Sequence, residues 1–217
     1  MKAYKYELTD ERHPSAPWLR RIRALVDMPR YGVRAGDPGG WVESEACLAQ
    51  SGDAWVSGDA QVSGAARVYG DAWVSGDAWI SGDAWISGDA RVSGFARVSD
   101  AARVFGDARV FGAAQVSGAA WVYGDARVYG PDHTLTAGPL SSQGHHGTLT
   151  RQPGNAHQIM IGCWTGTVDQ LRALATSDDW PSGCDQQAHE RYAPRLLAFA
   201  ALCEAQVALW TDAEELS

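Results

Sequence analysis

Side chains able to hold a cation, stack on a ring or attack a carbonyl fall into separate stretches of this chain. Asp53, Asp71, Asp89, Asp107 and Asp125 recur every eighteenth residue. A column of carboxylates suits a divalent cation only where further oxygens close around it, since calcium takes six to eight ligands. The competing role is for each Asp to hydrogen-bond the amides of its own turn, and no metal site is expected. A second set is aromatic: Trp55 and Trp73 share one column, and Trp79 and Trp85 lie in others. Tyr69, Phe105 and Tyr123 lie in one further column, with Ser87 between the first two. Clustered exposed rings mark interfaces and ring-binding surfaces, unless they serve to stack with neighbouring guanidiniums and stabilise the fold. A third set follows residue 130: His145, His146, Cys163, Asp169 and His189. A Cys/His pair is a conceivable nucleophile and base, but Cys163 closes an apolar run in which a buried, inert thiol is expected. No catalytic residue and no cofactor are assigned.

The element that positions the first two sets is a repeat. From Gly52 to Gly130 the pattern Gly-Asp-Ala-x-Val-z recurs thirteen times, with Ala at every sixth position from 54 to 126 and Val or Ile two residues later. Ile80 and Ile86 are the two departures from Val, and Asp100 the one interior departure from Gly. Strict self-similarity of this kind marks a solenoid. Alternation places Ala and Val inward and x and z outward, with Gly-Asp forming the corner. Three six-residue faces make an 18-residue coil, so the expected fold is a mainly β, left-handed hexapeptide-repeat parallel β-helix over residues 42–130. Its outward columns read Trp55, Trp73, Arg91, Arg109, Arg127 on one face. The second carries Gln61, Trp79, Arg97, Gln115, with Ser63, Ser81, Ser99, Ser117 beside them. The third carries Arg67, Trp85, Arg103, Trp121, with Tyr69, Ser87, Phe105, Tyr123 beside them.

Residues 1–41 are expected to form a β cap over the first coil, whose backbone groups would otherwise be open. Strands are predicted at Lys5–Leu8 and Leu19–Val26, joined by a turn over Asp10–Pro17, with Ile22, Ala24 and Val26 on one side. Residues 131–217 are expected to form a small α+β domain. Strands are predicted at Thr134–Leu140, Gly147–Arg151 and Gln158–Trp164, then a helix opened by a capping box at Thr167 and Gln170. A second helix is predicted from Gln186, or from Pro194 at its first position, to Leu209, with Leu196, Leu197, Ala200, Cys203 and Val207 as its apolar stripe.

Charge narrows the function. The net charge is −8, with +3 in residues 1–41, −5 in 42–130 and −6 in 131–217. An acidic chain without a basic stripe is a poor nucleic-acid binder. No apolar run reaches the length needed to cross a bilayer, and the N-terminus lacks the apolar stretch of a leader peptide. A cytoplasmic protein is expected, with its four scattered cysteines reduced. All six histidines lie outside the repeat.

Three stretches carry a resemblance. Tyr6-Glu7-Leu8-Thr9, Arg21-Ile22-Arg23-Ala24-Leu25 and the run Ala35 to Ala46 form an N-terminal pattern, followed by the hexads. Gly138-Pro139-Leu140, Gly162-Cys163-Trp164-Thr165-Gly166-Thr167 and Asp169 form a C-terminal one. Together they resemble hexapeptide-repeat proteins of phages and prophages, whose repeats are similar to those of the YdcK family. The resemblance implies a left-handed β-helix with an α+β tail and adds Trp164, Thr165 and Thr167 to the candidate binding residues. Where that family often has Gly-Ser-Arg after the Gly-Pro-aliphatic stretch, this chain has Ser141-Ser142-Gln143. The expected function is a non-enzymatic binding or interaction protein that self-associates, with a host protein or a small signal molecule as ligand. Interference with host defence is one setting for it. The alternatives are a hexapeptide-class acyl- or sugar-nucleotide-dependent transferase and a glycan-binding structural component.

Overall fold

The inward Ala and Val columns dictate the core, and every one of them from Ala54 to Val128 is buried in the computed structural model. Residues 4–177 and 186–215 are described, with the backbone alone at 155, 186–189 and 211–215. Each x-Val pair forms a two-residue strand, and thirteen of them, β4 (Trp55–Val56) to β16 (Arg127–Val128), follow at six-residue intervals. The first ten each pair in parallel with the strand eighteen residues on, as Trp73 does with Arg91 and Arg91 with Arg109. The result is a mainly β, parallel-strand solenoid with three faces. Corner geometry explains the glycines. At Gly82 φ is +67° and an added Cβ would lie 2.7 Å from the Asp100 amide nitrogen of the next coil, so a side chain has neither the backbone conformation nor the room. Asp100 occupies the same left-handed region at φ 58°, which Asp tolerates better than most residues. Its carboxylate accepts the Gly118 amide at 2.9 Å.

The N-terminal segment adds β1 (Tyr6–His13), β2 (Ala16–Ala24) and β3 (Pro38–Val42). The predicted turn is shorter than expected, because the two strands continue to His13 and from Ala16 as an antiparallel hairpin. Ile22 and Ala24 are buried as expected, whereas Val26 lies beyond the strand and is exposed. β3 joins the hairpin to the solenoid, pairing antiparallel with β2 and in parallel with Gln61–Val62. Lys5 closes the first coil: its buried ammonium donates to the carbonyls of Ala54 at 2.7 Å and Gly52 at 3.2 Å. Residues 1–131 thus form one compact unit that includes both cap and solenoid.

Residues 132–217 form a second compact unit. It holds an antiparallel sheet of β17 (Thr134–Ala137), β18 (Gly147–Arg151), β19 (His157–Ile161) and β20 (Trp164–Gly166), followed by α1 (Val168–Thr176) and α2 (Gln186–Glu215). The run predicted as one strand to Trp164 is a hairpin. Ile161 pairs with Trp164 across the two-residue turn Gly162-Cys163, whose glycine has φ +59°. α1 begins with the full capping box: the Thr167 hydroxyl accepts the Gln170 amide and the Gln170 side chain accepts the Thr167 amide. α2 runs straight through Pro194, which lies inside the helix rather than at its start. The lost amide donor is outweighed by burial of Ala193, Leu196, Phe199, Ala200, Cys203 and Trp210 along one side. Leu197, predicted on that stripe, is 38% exposed, and Phe199 takes its place in the core. Among the described residues no helix is long and apolar enough to cross a membrane.

Candidate functional site

The three outward faces of the solenoid differ in what covers them. On the first face the N-terminal segment lies over Trp55, which is only 1% exposed. Tyr6 meets its ring edge-on at 6.5 Å. Gly39 packs so closely that a Cβ there would stand 2.7 Å from Trp55 Cζ2 and 2.5 Å from Ile22 Cγ1. Trp73 is half-buried beneath Tyr31, ring centroids 5.0 Å apart, and its indole N–H donates to Ser57 Oγ at 2.9 Å. The two tryptophans expected on a partner surface are therefore occupied by this chain's own cap. Packing buries Trp55 and covers one side of Trp73.

Two carboxylates of the Asp column, Asp71 and Asp89, are similarly engaged. Arg30 bridges Asp71 at 2.9 Å and Asp89. The Asp71 carboxylate also accepts the Asp53 amide at 3.2 Å, and Tyr31 donates its hydroxyl to the Asp71 carbonyl. These carboxylates tie the cap to the corner. Among the described residues no three His, Cys, Asp or Glu side chains converge for a metal ion.

On the second face Trp79 is 47% exposed, with the Arg97 guanidinium 5.8 Å from its ring centre. The third face is where the outward side chains form a site. Arg67, Trp85, Arg103 and Trp121 alternate in register up one column. The Arg103 guanidinium sits 5.0 Å from both indoles, and Arg67 stands 5.9 Å from Trp85. In the adjoining column Phe105 and Tyr123 stack with centroids 5.5 Å apart and planes 23° from parallel. Tyr69 meets Trp85 edge-on at 6.0 Å, and Phe105 meets Trp121 in the same way at 6.1 Å. Tyr69, Trp85, Ser87, Arg103, Phe105 and Trp121 together line a hollow of about 210 Å³. The structure thus gathers three predicted residues, Tyr69, Trp85 and Phe105, with Tyr123 stacked on the last. Arg103, Trp121 and Ser87 complete the hollow and were not predicted. Their signal was present in the columns as a single small residue interrupting an aromatic series.

In the second unit the predicted residues fall into different roles. His145 Nδ1 is 3.1 Å from Ser141 Oγ, and its ring packs against Gly162. The ring of exposed His146 lies against Gly138. Trp164 and Thr165 line a shallow hollow of about 410 Å³ with Gln170, Ala173, Leu174 and Ser177. Thr167 is committed to the helix cap. His189 lies in α2, its side chain outside the described residues.

Cys163 corrects an expectation: it is exposed, because the turn lifts it out of the strand, whereas Cys47 and Cys203 are buried. Burial pushes the Cys203 thiol up to about 12. In a Cys184→Ser background, a thiol reagent is expected to modify one equivalent, Cys163, in the folded protein. The other two should react only after unfolding. Rapid reaction of all three would contradict this placement.

His157 carries a pH-sensitive contact. Its Nε2 accepts the Val168 amide at 3.1 Å, which satisfies one of the open donors at the start of α1. Burial holds its imidazole below the usual 6.5, against a smaller opposing pull from Asp169. As pH falls below 6.5 the unfolded chain takes up the proton first, so the folded state loses stability as pH descends through the lower folded value. The α1 amide signals of the full chain, followed through urea titrations, should show midpoints flat above pH 7 and falling below about 6.5. His157→Gln should flatten that fall.

Comparison with known proteins fits this geometry. Residues 66–82 and 102–118 match the family model described as YdcK Beta solenoid repeat. The class that fold and sequence define is a YdcK-like β-solenoid repeat protein. No curated protein matches the chain.

Proposed function

We propose that this is a non-enzymatic binding or interaction protein whose working surface is the third face of the solenoid. The observation that carries the reading is the hollow of about 210 Å³ between Tyr69 and Phe105, set in a column of alternating arginine and tryptophan. Half-buried rings beside exposed guanidiniums in one rigid array bind partners at low entropic cost, because parallel strands hold their spacing before the ligand arrives. The ligand is a host protein or a small molecule. The same proposal takes the repeat as hexapeptide-class and left-handed. It places the protein in the host cytoplasm, with a phage or prophage origin, acting against host defence and self-associating. Trp79, 47% exposed, is one of the rings open to a second copy.

Native mass spectrometry of the chain purified from its own source tests the reading. A ligand or second protein should be retained by the natural sequence and lost from a Tyr69→Ala/Phe105→Ala variant that remains folded. A ligand retained equally by both would move the site elsewhere, and recovery of the bare chain in repeated preparations would count against a binding role.

A further inference from the structure

Tyr69, Ser87, Phe105 and Tyr123 hold one position in four successive coils, fixed by hydrogen bonds of 2.9–3.0 Å from the first three amides to the next coil. Three of the four are rings, and the upper pair already stacks at 5.5 Å. Tyr69 and Phe105 each stand edge-on to the tryptophan that follows sixteen residues later, at 6.0 and 6.1 Å with interplanar angles of 85° and 80°. The two rings are therefore presented in the same attitude, two coils apart. Coils stack at about 4.8 Å, so these positions are separated by about 10 Å. With a ring about 3.5 Å thick, that leaves an opening of about 6 Å, enough for one inserted ring and too little for two. A guest there would lie near 5 Å from each neighbour, within the range at which offset-stacked rings attract. Ser87 is the missing rung of the ladder.

The hollow also has a charge. Sixteen residues beyond Ser87 the place taken elsewhere by Trp85 or Trp121 is held by Arg103. Its guanidinium lies between the two indoles at 5.0 Å from each. Among the described residues no carboxylate lies within 4.0 Å of it. Stacking between two rings fixes a guanidinium plane and strips part of its water, which leaves its N–H edge free to take an anionic oxygen pair. A neutral sugar could pair hydroxyls with Ser87, Tyr69 and this cation, but it brings no anion to the guanidinium. A flat ring carrying an anion uses every wall.

We propose that the hollow over Ser87 binds one aromatic ring bearing an anionic group, an aryl phosphate or aryl carboxylate, with the ring between Tyr69 and Phe105 and the anion on Arg103. At about 210 Å³ the hollow suits a ligand of one or two rings rather than a larger one. The inference rests on the third face being the binding surface and names its ligand class.

Phenyl phosphate and benzoate are the probes, titrated into the full chain with the indole N–H signals of Trp85 and Trp121 followed by NMR. Both probes should bind one per chain and shift those two signals, at least tenfold more tightly than inorganic phosphate, acetate or phenol. Arg103→Gln should bring phenyl phosphate down to within about twofold of phenol while phenol itself is unchanged. Ser87→Tyr supplies the missing ring from within, so it should abolish binding in a protein that unfolds no earlier than the natural one. Equal binding of inorganic phosphate, indifference to Arg103→Gln, undiminished binding by Ser87→Tyr, or shifts confined to other tryptophans would each overturn the proposal. Shifts of Trp85 and Trp121 that grow with protein concentration and not with probe would also overturn it, in favour of an aromatic side chain from a second copy. If the probes fail while native mass spectrometry retains a partner lost from the Tyr69→Ala/Phe105→Ala variant, the binding face stands and this ligand class falls. If the probes bind and nothing is retained, the site stands and the broader function falls.

Discussion

Trp55→Ala is expected to destabilise the first unit by about 3–5 kcal/mol, the range for emptying a fully buried tryptophan site. The residue sits at an outward position, and a solenoid displaying it to water would lose little by its removal. Here Tyr6, Ile22 and Gly39 close over the ring, so the change opens a void between cap and first coil. Trp73 lies directly beside it in the sheet and packs against Tyr31, so the loss should spread to the turn at Met28–Val33. Urea unfolding should show the lowered midpoint. Amide exchange should show the Met28 N–H, bonded to Val33 at 2.8 Å, losing protection before the solenoid strands do. Trp79→Ala, at an exposed site, should cost under about 1 kcal/mol and serves as the comparison. A Trp55→Ala effect no larger than that of Trp79→Ala would mean that the cap does not bury this ring.

Val92→Asp is expected to be more severe still, costing at least several kcal/mol and leaving the middle coils unfolded at neutral pH. Val92 is fully buried between Val74 and Val110 in a prism of Ala and aliphatic side chains that offers a carboxylate no donor. Either the carboxyl stays protonated far above its usual pKa or the coil opens to hydrate it. Stability of the variant should accordingly rise as pH falls, and circular dichroism with a pH series reads both effects. Ser93→Asp, one residue on and pointing outward, should fall within about 1 kcal/mol of the natural sequence. The contrast tests the inside-outside alternation directly. A tolerated Val92→Asp would place the interior of the solenoid elsewhere.

Both expectations turn on the same division between local and distant information. The interior was legible because a six-residue period acts locally: each Ala and Val is set inward by its own strand, and each Gly by its own corner. The capping box of α1 was legible for the same reason, since Thr167 and Gln170 are three residues apart. Cys163 was misplaced because the strand ends only where Ile161 finds Trp164 as its partner, and a run of apolar letters carries no sign of that pairing. Of the two helix starts the sequence allows, Gln186 is the one observed, and the local cost of Pro194 inside the helix is offset by side chains packed along α2 in the second unit.

The candidate site divides along the same line. By itself the sequence determined the solenoid, its three faces and the membership of every outward column, because periodicity converts spacing along the chain into neighbours in space. It even held the interrupted aromatic series at Ser87. The tertiary structure alone decided which columns face water. Tyr6, Ile22, Tyr31 and Gly39 lie 16 to 49 residues before the tryptophans they cover, and no period links them. Their docking, with that of Arg30, engages Trp55, Trp73, Asp71 and Asp89 and leaves the half-buried rings and exposed guanidiniums of the third face uncovered by the cap. Burial depends on what a distant segment packs against, and that is settled by folding rather than by spacing.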